Sequence, residues 1–315
     1  DNLRAAMSCA LATGEVEVAA RLGWALWMFW WLRGHKQEGR RWMEALLEHN
    51  LSASLRTIAL TVAGQMAFTQ GDYPSCERYL QESLELAREV GDPIRAAHAV
   101  YVLGILALNS QDLETARARL EEALNLYLNI GGNDQMVAGV RSHLGTLLLI
   151  QGDFGQAAAM MEEALALARK LGDGFSISNA LYSLAQVAQA RGDHDSAACR
   201  FEEGVTLSEG IGDRSNLGYF LEGLAVVAGV RGEANRSARL FGAAEGLLQA
   251  VEAPVYDYYE PNRSLYDRTA ATMRSHLGDS AFEEAWAEGQ AMTFEQAVAY
   301  VFEEGNDTAH ENADG

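Results

Sequence analysis

Small and large apolar residues recur along this chain in a fixed register. Gly64 is followed by Cys76, Leu80 and Ser83, and Gly104 by Ala116, Leu120 and Ala123. Gly145 is followed by Ala157, Met161 and Ala164; Ala185 by Ala197, Phe201 and Gly204; Ala225 by Ser237, Phe241 and Ala244. The spacing in every set is 12, 16 and 19. Small side chains let two helices approach closely, and the large one plugs the gap between neighbouring pairs.

Turn signals punctuate the same stretch. One series reads Gly71-Asp72, Gln111-Asp112, Gly152-Asp153, Gly192-Asp193 and Gly232-Glu233, with acidic positions advancing by 40, 41, 40 and 40. A second reads Gly91-Asp92, Gly131-Gly132, Gly172-Asp173 and Gly212-Asp213, advancing by 40, 41 and 40. Glycine ends a helix in the left-handed conformation, and aspartate caps the amides of the next one. Pro93 stands at a first helical position, and Asp153 with Gln156 resembles a capping box. The unit is therefore helix, tight turn, helix, tight turn, repeated five times over 51–250. Both series place one extra residue in the same unit, at Gly131-Gly132-Asn133-Asp134.

The ends depart from the period. Helices are expected at 3–12, 16–33 and 36–49, a capping region over 1–50 that carries Trp24, Trp27, Trp30, Trp31 and Trp42. Trp24, Trp27 and Trp31 share one helical face and read as core, whereas Phe29 and Trp30 point elsewhere. Those two are either an interface with a further domain or part of a bulky cap. After an irregular stretch with Pro254, Tyr256, Tyr258, Tyr259 and Pro261, helices are expected at 263–277, 279–291 and 294–304, the last capped by Thr293. They make 251–304 a C-terminal cap, and 305–315 a polar, disordered tail.

Composition narrows the function classes. Of 315 residues, 49% are hydrophobic and only four are proline, which suits long helices with a substantial core. The net charge of −20 repels phosphate backbones, so no direct nucleic-acid binding is expected. The apolar run Trp24–Leu32 is too short to span a bilayer, so no membrane role is expected and the localisation is read as cytoplasmic. Cys9, Cys76 and Cys199 are far apart and form no CxxC pair, and are read as buried thiols. The chain begins at Asp1 and reads as an excised piece of a longer protein.

The repeat resembles the tetratricopeptide repeat (TPR), whose pattern has small residues at the first, second and fourth of these places and an aromatic at the third. It departs in length, the usual unit being 34 residues. Longer helices at this period look like the repeat arms of bacterial signal-transducing NTPase regulators. Asn2–Ala6, Ala25–Leu26–Trp27, Trp31–His35 and Glu38–Trp42 are similar to the start of the repeat region in LuxR-type and related ATPase transcriptional regulators. Ala238–Glu245, Ala285–Gly289 and Glu295–Tyr300 are similar to its end. The resemblance implies an all-α, TPR-like α-solenoid, a right-handed superhelix of antiparallel helix pairs. It also implies an NTPase module upstream and a DNA-binding module elsewhere in the full protein. No GxxxxGK[ST] loop occurs here, so neither ATP nor any other cofactor is expected to bind this stretch.

Catalytic and metal readings find little support. Asp193-His194-Asp195 sits at a cap position, and the Glu121-Glu122, Glu162-Glu163 and Glu202-Glu203 pairs recur with the period as solvated outer faces. The chain is therefore expected to be no enzyme. In a TPR-like stack the first helix of each pair faces a concave groove. That places Thr61, Gln65, Phe68, His98, Tyr101, Ile105, Ser142, Thr146, Asn179, Tyr182, Gln186, Gln189, Tyr219, Glu222 and Val226 on it. Amides and hydroxyls beside aromatic faces suit a peptide, a small metabolite or a sugar, or else the groove is merely wetted. Two roles follow. One is a sensor arm of a multidomain bacterial transcriptional regulator, taking a peptide, protein or small-molecule effector. The other is a free-standing scaffold that assembles proteins.

Overall fold

The computed structural model describes residues 2–32, 35–131, 134–250 and 260–303. Among them are sixteen α-helices and no strand, an all-α, TPR-like architecture. The expectations for the 251–259 stretch and the 305–315 tail lie outside the described residues.

The chain divides into two compact units. Unit 1 holds α1 (Asn2–Ala12), α2 (Val16–Leu32), α3 (Lys36–Leu47), α4 (Ala53–Thr69), α5 (Tyr73–Val90), α6 (Pro93–Asn109), α7 (Leu113–Ile130), α8 (Asp134–Ile150) and α9 (Phe154–Leu171), and runs to Ser176. Unit 2 begins at Ile177 within α10 (Gly174–Ala190) and holds α11 (His194–Ile211), α12 (Arg214–Val230), α13 (Ala234–Ala250), α14 (Glu260–Leu277), α15 (Asp279–Gln290) and α16 (Phe294–Phe302). The repeat period gives no sign of a boundary inside α10.

The turns are built as their residues dictate. The acidic residue donates its N–H to the carbonyl five positions back: Asp72 to Ala67 at 3.0 Å, Asp112 to Ala107 at 2.9 Å, Asp193 to Ala188 at 2.9 Å. Its carboxylate then accepts the N–H three positions ahead, as in Asp72 with Ser75 and Asp193 with Ser196. One residue thus satisfies the end of one helix and the start of the next. The left-handed position is glycine at Gly91, Gly172 and Gly212, whereas Gln111 holds φ 60°, the one positive φ at a non-glycine among the described residues. A side chain costs about 1 kcal/mol in that conformation, so Gln111→Gly should raise stability by about that much in urea unfolding. The Asp153–Gln156 capping box is only half formed. The Gln156 side chain turns to the Asp153 carboxylate rather than to its backbone N–H. The complete box is at Thr293 and Gln296.

Helices α7 and α8 have 18 and 17 residues, the lengths of α5 and α6. The extra residue of that repeat therefore falls in the link between Ile130 and Asp134.

The 12–16–19 spacing is a packing device. A Cβ on Gly64 would stand 2.8 Å from Leu80, one on Gly104 3.1 Å from Leu120, and one on Gly145 2.6 Å from Met161. Each large residue thus fills a notch within its own pair. Phe201 also reaches the next pair, where a Cβ on Gly223 would stand 2.2 Å from its ring. Cys76 is buried in this core and its thiol is pushed up to about 12 by burial, but Cys9 and Cys199 are exposed, against the reading of all three as buried. Their sites on α1 and α11 fall outside the periodic core positions.

Candidate functional site

In unit 1 the first helix α6 touches α4 on one side and α8 on the other, and the three carry the predicted polar positions. Many of these hydroxyls are spent on their own helix. Thr61 donates to the Thr57 carbonyl at 2.7 Å and meets Ser83, Ser142 donates to Ala138, and Thr146 to Ser142. Gln65 is buried with its Oε1 unpartnered, Phe68 packs beside Tyr73 at 5.9 Å, and Ile105 is core.

The inner side of α6 is covered by α2. Trp24 and Trp27 lie edge-on to His98 at 5.8 and 5.7 Å, and Trp31 lies against Phe175 at 4.9 Å. Tyr101 joins His98 to His143, its hydroxyl 3.0 Å from His143 Nδ1. Burial holds the His98 pKa down at about 4, with the Arg95 charge adding to the effect, and burial also lowers that of His143. The spacing of Trp24, Trp27 and Trp31 marked a core face, but sequence alone did not pair it with His98.

Phe29 and Trp30 part company. Phe29 is 43% exposed beside His35. Trp30 is 3% exposed, with its ring where a Cβ on Gly39 would stand 2.6 Å away. Its surface is used within this chain, so the reading of Trp30 as an outward interface is corrected. The two residues share a cavity of about 150 Å³ with Leu3, Met7, Leu26 and Trp42, at whose edge Arg4 pairs with Glu38.

The remaining predicted residues lie in unit 2, on α10 and α12. Tyr182 on α10 packs against Tyr219 on α12 with ring centroids 6.0 Å apart. Gln189 donates from Nε2 to the Gly223 carbonyl at 3.2 Å, and its Oε1 is buried without a partner. Gln186 is buried on the same face of α10, Asn179 is partly buried, and Val226 is core. Glu222, flanked along α12 by the contacts at Tyr219 and Gly223, is partly buried. Burial pushes its carboxyl up to about 7, the Arg263 charge opposing and the Asp267 charge reinforcing the rise.

Arg263, Tyr266 and Asp267 belong to α14, which the sequence marked only as part of a cap. The Tyr266 hydroxyl lies 3.3 Å from that of Tyr182. The α14 contribution carries no periodic signal, because it comes from outside the repeats.

The Asp193-His194-Asp195 stretch is a helix start. Asp193 is the cap, and Asp195 pairs with Arg231 at 2.6 Å. Among the described residues no group of three or more His, Cys, Asp or Glu is placed to hold a metal ion, and no helix is long and apolar enough to cross a membrane.

The family described as MalT-like TPR region matches residues 34–285. A protein of Mycobacterium tuberculosis bearing the name HTH-type transcriptional regulator Rv0890c is 29% identical over 185 residues, 56% of this chain and 21% of the relative. The chain thus spans about a fifth of the length of the curated relatives it matches. Among solved structures, a Rap protein complexed with competence and sporulation factor matches with TM-score 0.61 at 12% identity, covering 90% of this chain and 97% of that one. NprR in complex with its cognate peptide NprX matches with TM-score 0.55 at 14% identity, covering 89% and 81%. A signal-transduction ATPase with a TPR sensor from Pyrococcus horikoshii matches with TM-score 0.54 at 14% identity, covering 87% and 45%. At these identities the three structures speak for the fold.

Proposed function

The chain belongs to the MalT-like TPR region family, and from that premise we propose that it is the sensor arm of a multidomain bacterial transcriptional regulator. It takes a peptide, protein or small-molecule effector on the inner faces of α10 and α12, and performs no catalysis itself. Binding there favours one arrangement of the linked modules over another, an NTPase and a DNA-binding domain, and so sets their activity. The site of action is the cytoplasm.

The observation that carries this reading is the face shared by α10 and α12 in unit 2. Tyr182, Gln186 and Gln189 stand on α10 and Tyr219 and Glu222 on α12, with Tyr182 against Tyr219 and hydrogen-bonding capacity left over at Gln189. Buried polar groups in a helical core are normally paired, so this concentration suits recognition better than packing. Relatives that are transcriptional regulators by name, and fold neighbours solved with a peptide or as an ATPase sensor, support the same role.

The test is calorimetric titration with a panel of short peptides and oligosaccharides. Tyr182→Phe with Gln186→Leu keeps the side-chain volumes while removing the hydroxyl and the amide. Binding to that variant should weaken at least about tenfold, or about 1.4 kcal/mol, with unchanged helix content. Equal binding by the variant and the parent would refute the assignment of this face.

A further inference from the structure

The polar face of unit 2 keeps a buried acceptor without a donor. Gln189 donates its amide N–H to the Gly223 carbonyl, and that bond fixes which end of the amide is which. Its Oε1 is left buried, at a residue only 7% exposed, with no donor. One residue from Gly223 stands the carboxyl of Glu222, partly buried on the same helix. A buried acceptor without a donor is costly, and a native structure that retains one calls for an explanation. An orphaned amide oxygen bonded one residue away from a partly buried carboxyl, with aromatic rings close by, is what a cationic N–H donor would complete.

We propose that this face holds an ammonium or guanidinium group of the ligand, the side chain of a lysine or arginine in a peptide. Glu222 and the Gln189 Oε1 accept its N–H bonds, and the rings of Tyr182 and Tyr219 lie beside its charge. The inference rests on the reading of this face as the effector site and names the chemistry it selects.

Contacts between α10 and α12 bracket Glu222 along its helix: Tyr182 meets Tyr219 and Phe220 on one side, and Gln189 meets Gly223 on the other. From α14, Arg263 and Asp267 act on the same carboxyl and pair with each other at 3.3 Å, while Tyr266 reaches Tyr182. The Arg263 charge does not bring the Glu222 pKa back to the ordinary carboxylate range, and the residue stays at about 7. A second cation drawn against Glu222 would ionise it, so binding near neutral pH releases a proton. The general acidity of the chain, at −20, adds attraction for any basic peptide and has to be separated from this site.

The experiment uses the full chain and a capped pentapeptide, acetyl-Gly-Gly-X-Gly-Gly-amide, with X arginine, lysine, norleucine or glutamate, titrated by calorimetry at two salt concentrations. Arginine and lysine should bind at least tenfold tighter than norleucine, and glutamate weakest. In Glu222→Gln that preference should shrink below threefold, whereas Glu121→Gln, on an outer face, should keep it. The carboxyl of Glu222, followed by NMR, should titrate lower in the arginine complex than alone. Equal binding of arginine and norleucine, a preference that survives Glu222→Gln, or no binding of any of the four would overturn the proposal. If effectors bind in a manner sensitive to Tyr182 and Gln186 but show no preference for a cation, only this inference falls.

Discussion

Gly289→Ala should destabilise unit 2 by about 3 kcal/mol, at the upper end of what a single added methyl does. A Cβ at Gly289 would stand 2.0 Å from the Arg239 carbonyl oxygen, and one at Gly242 2.0 Å from the Trp286 carbonyl. Both obstacles are backbone, so no rotamer change relieves them; α13 and α15 must move apart. Separation would break what the close crossing holds together. The Phe241 and Trp286 rings stack at 5.9 Å and 17°, and Trp286 Nε1 donates to Glu245 at 2.6 Å. Urea unfolding followed by Trp286 fluorescence, in a background where the other tryptophans are phenylalanine, measures the loss. Gly210→Ala is the control. Nothing lies within 4 Å of a Cβ there, and in the last turn of α11 alanine should leave stability unchanged or raise it by up to about 0.5 kcal/mol. If Gly289→Ala and Gly210→Ala behave alike, the crossing is not as close as described.

The second large effect is a loss of unit 1 stability in acid. His98 is 6% exposed among Trp24, Trp27 and Tyr101, and burial lowers its pKa from 6.5 to about 4. Above pH 6.5 the ring is neutral in folded and unfolded chains alike, and its contribution does not vary. As the pH falls from 6.5 toward 4, the unfolded chain takes up a proton that the folded one refuses. Stability therefore falls across that window, by on the order of 3 kcal/mol in total, and levels off below it. His98→Phe should flatten this part of the pH dependence. Denaturant midpoints of the parent and the variant at pH 7, 5.5 and 4.5 check it; parallel losses in the two proteins would assign the acid sensitivity to other groups.

Much of this fold was legible because each turn is specified by adjacent residues. A glycine and an aspartate together complete the end of one helix and the start of the next, so period alone located α4 to α13. The motifs Ala238–Glu245 and Ala285–Gly289 were recognisable as well, but not that Gly242 and Gly289 are two halves of one helix crossing. Such pairings join residues far apart in sequence, and no local signal encodes them. The same holds for the inner faces. Their positions could be counted from the small residue of each pair, and the structure sets Tyr182 against Tyr219. That α2 lays Trp24 and Trp27 over His98, and that α14 sets Tyr266 against Tyr182, could not be counted, because neither helix follows the period. Trp30 was misread for a related reason. A helical wheel shows which way a side chain points, whereas its cover, at Gly39, comes from the next helix.

The self-contained turn also bears on how such a chain can change over generations. Since a glycine and an acidic residue close one helix and open another using only residues within a few positions, a segment cut between equivalent turns brings its own boundaries with it. Unequal exchange between coding repeats can then add or delete whole pairs of helices without spoiling the ends that remain. The link between Ile130 and Asp134 shows the tolerance on a smaller scale, for one inserted residue there left the lengths of both flanking helices unaltered. Variation in repeat number among descendants of this gene should therefore come in steps of one helix pair, with small insertions confined to the junctions.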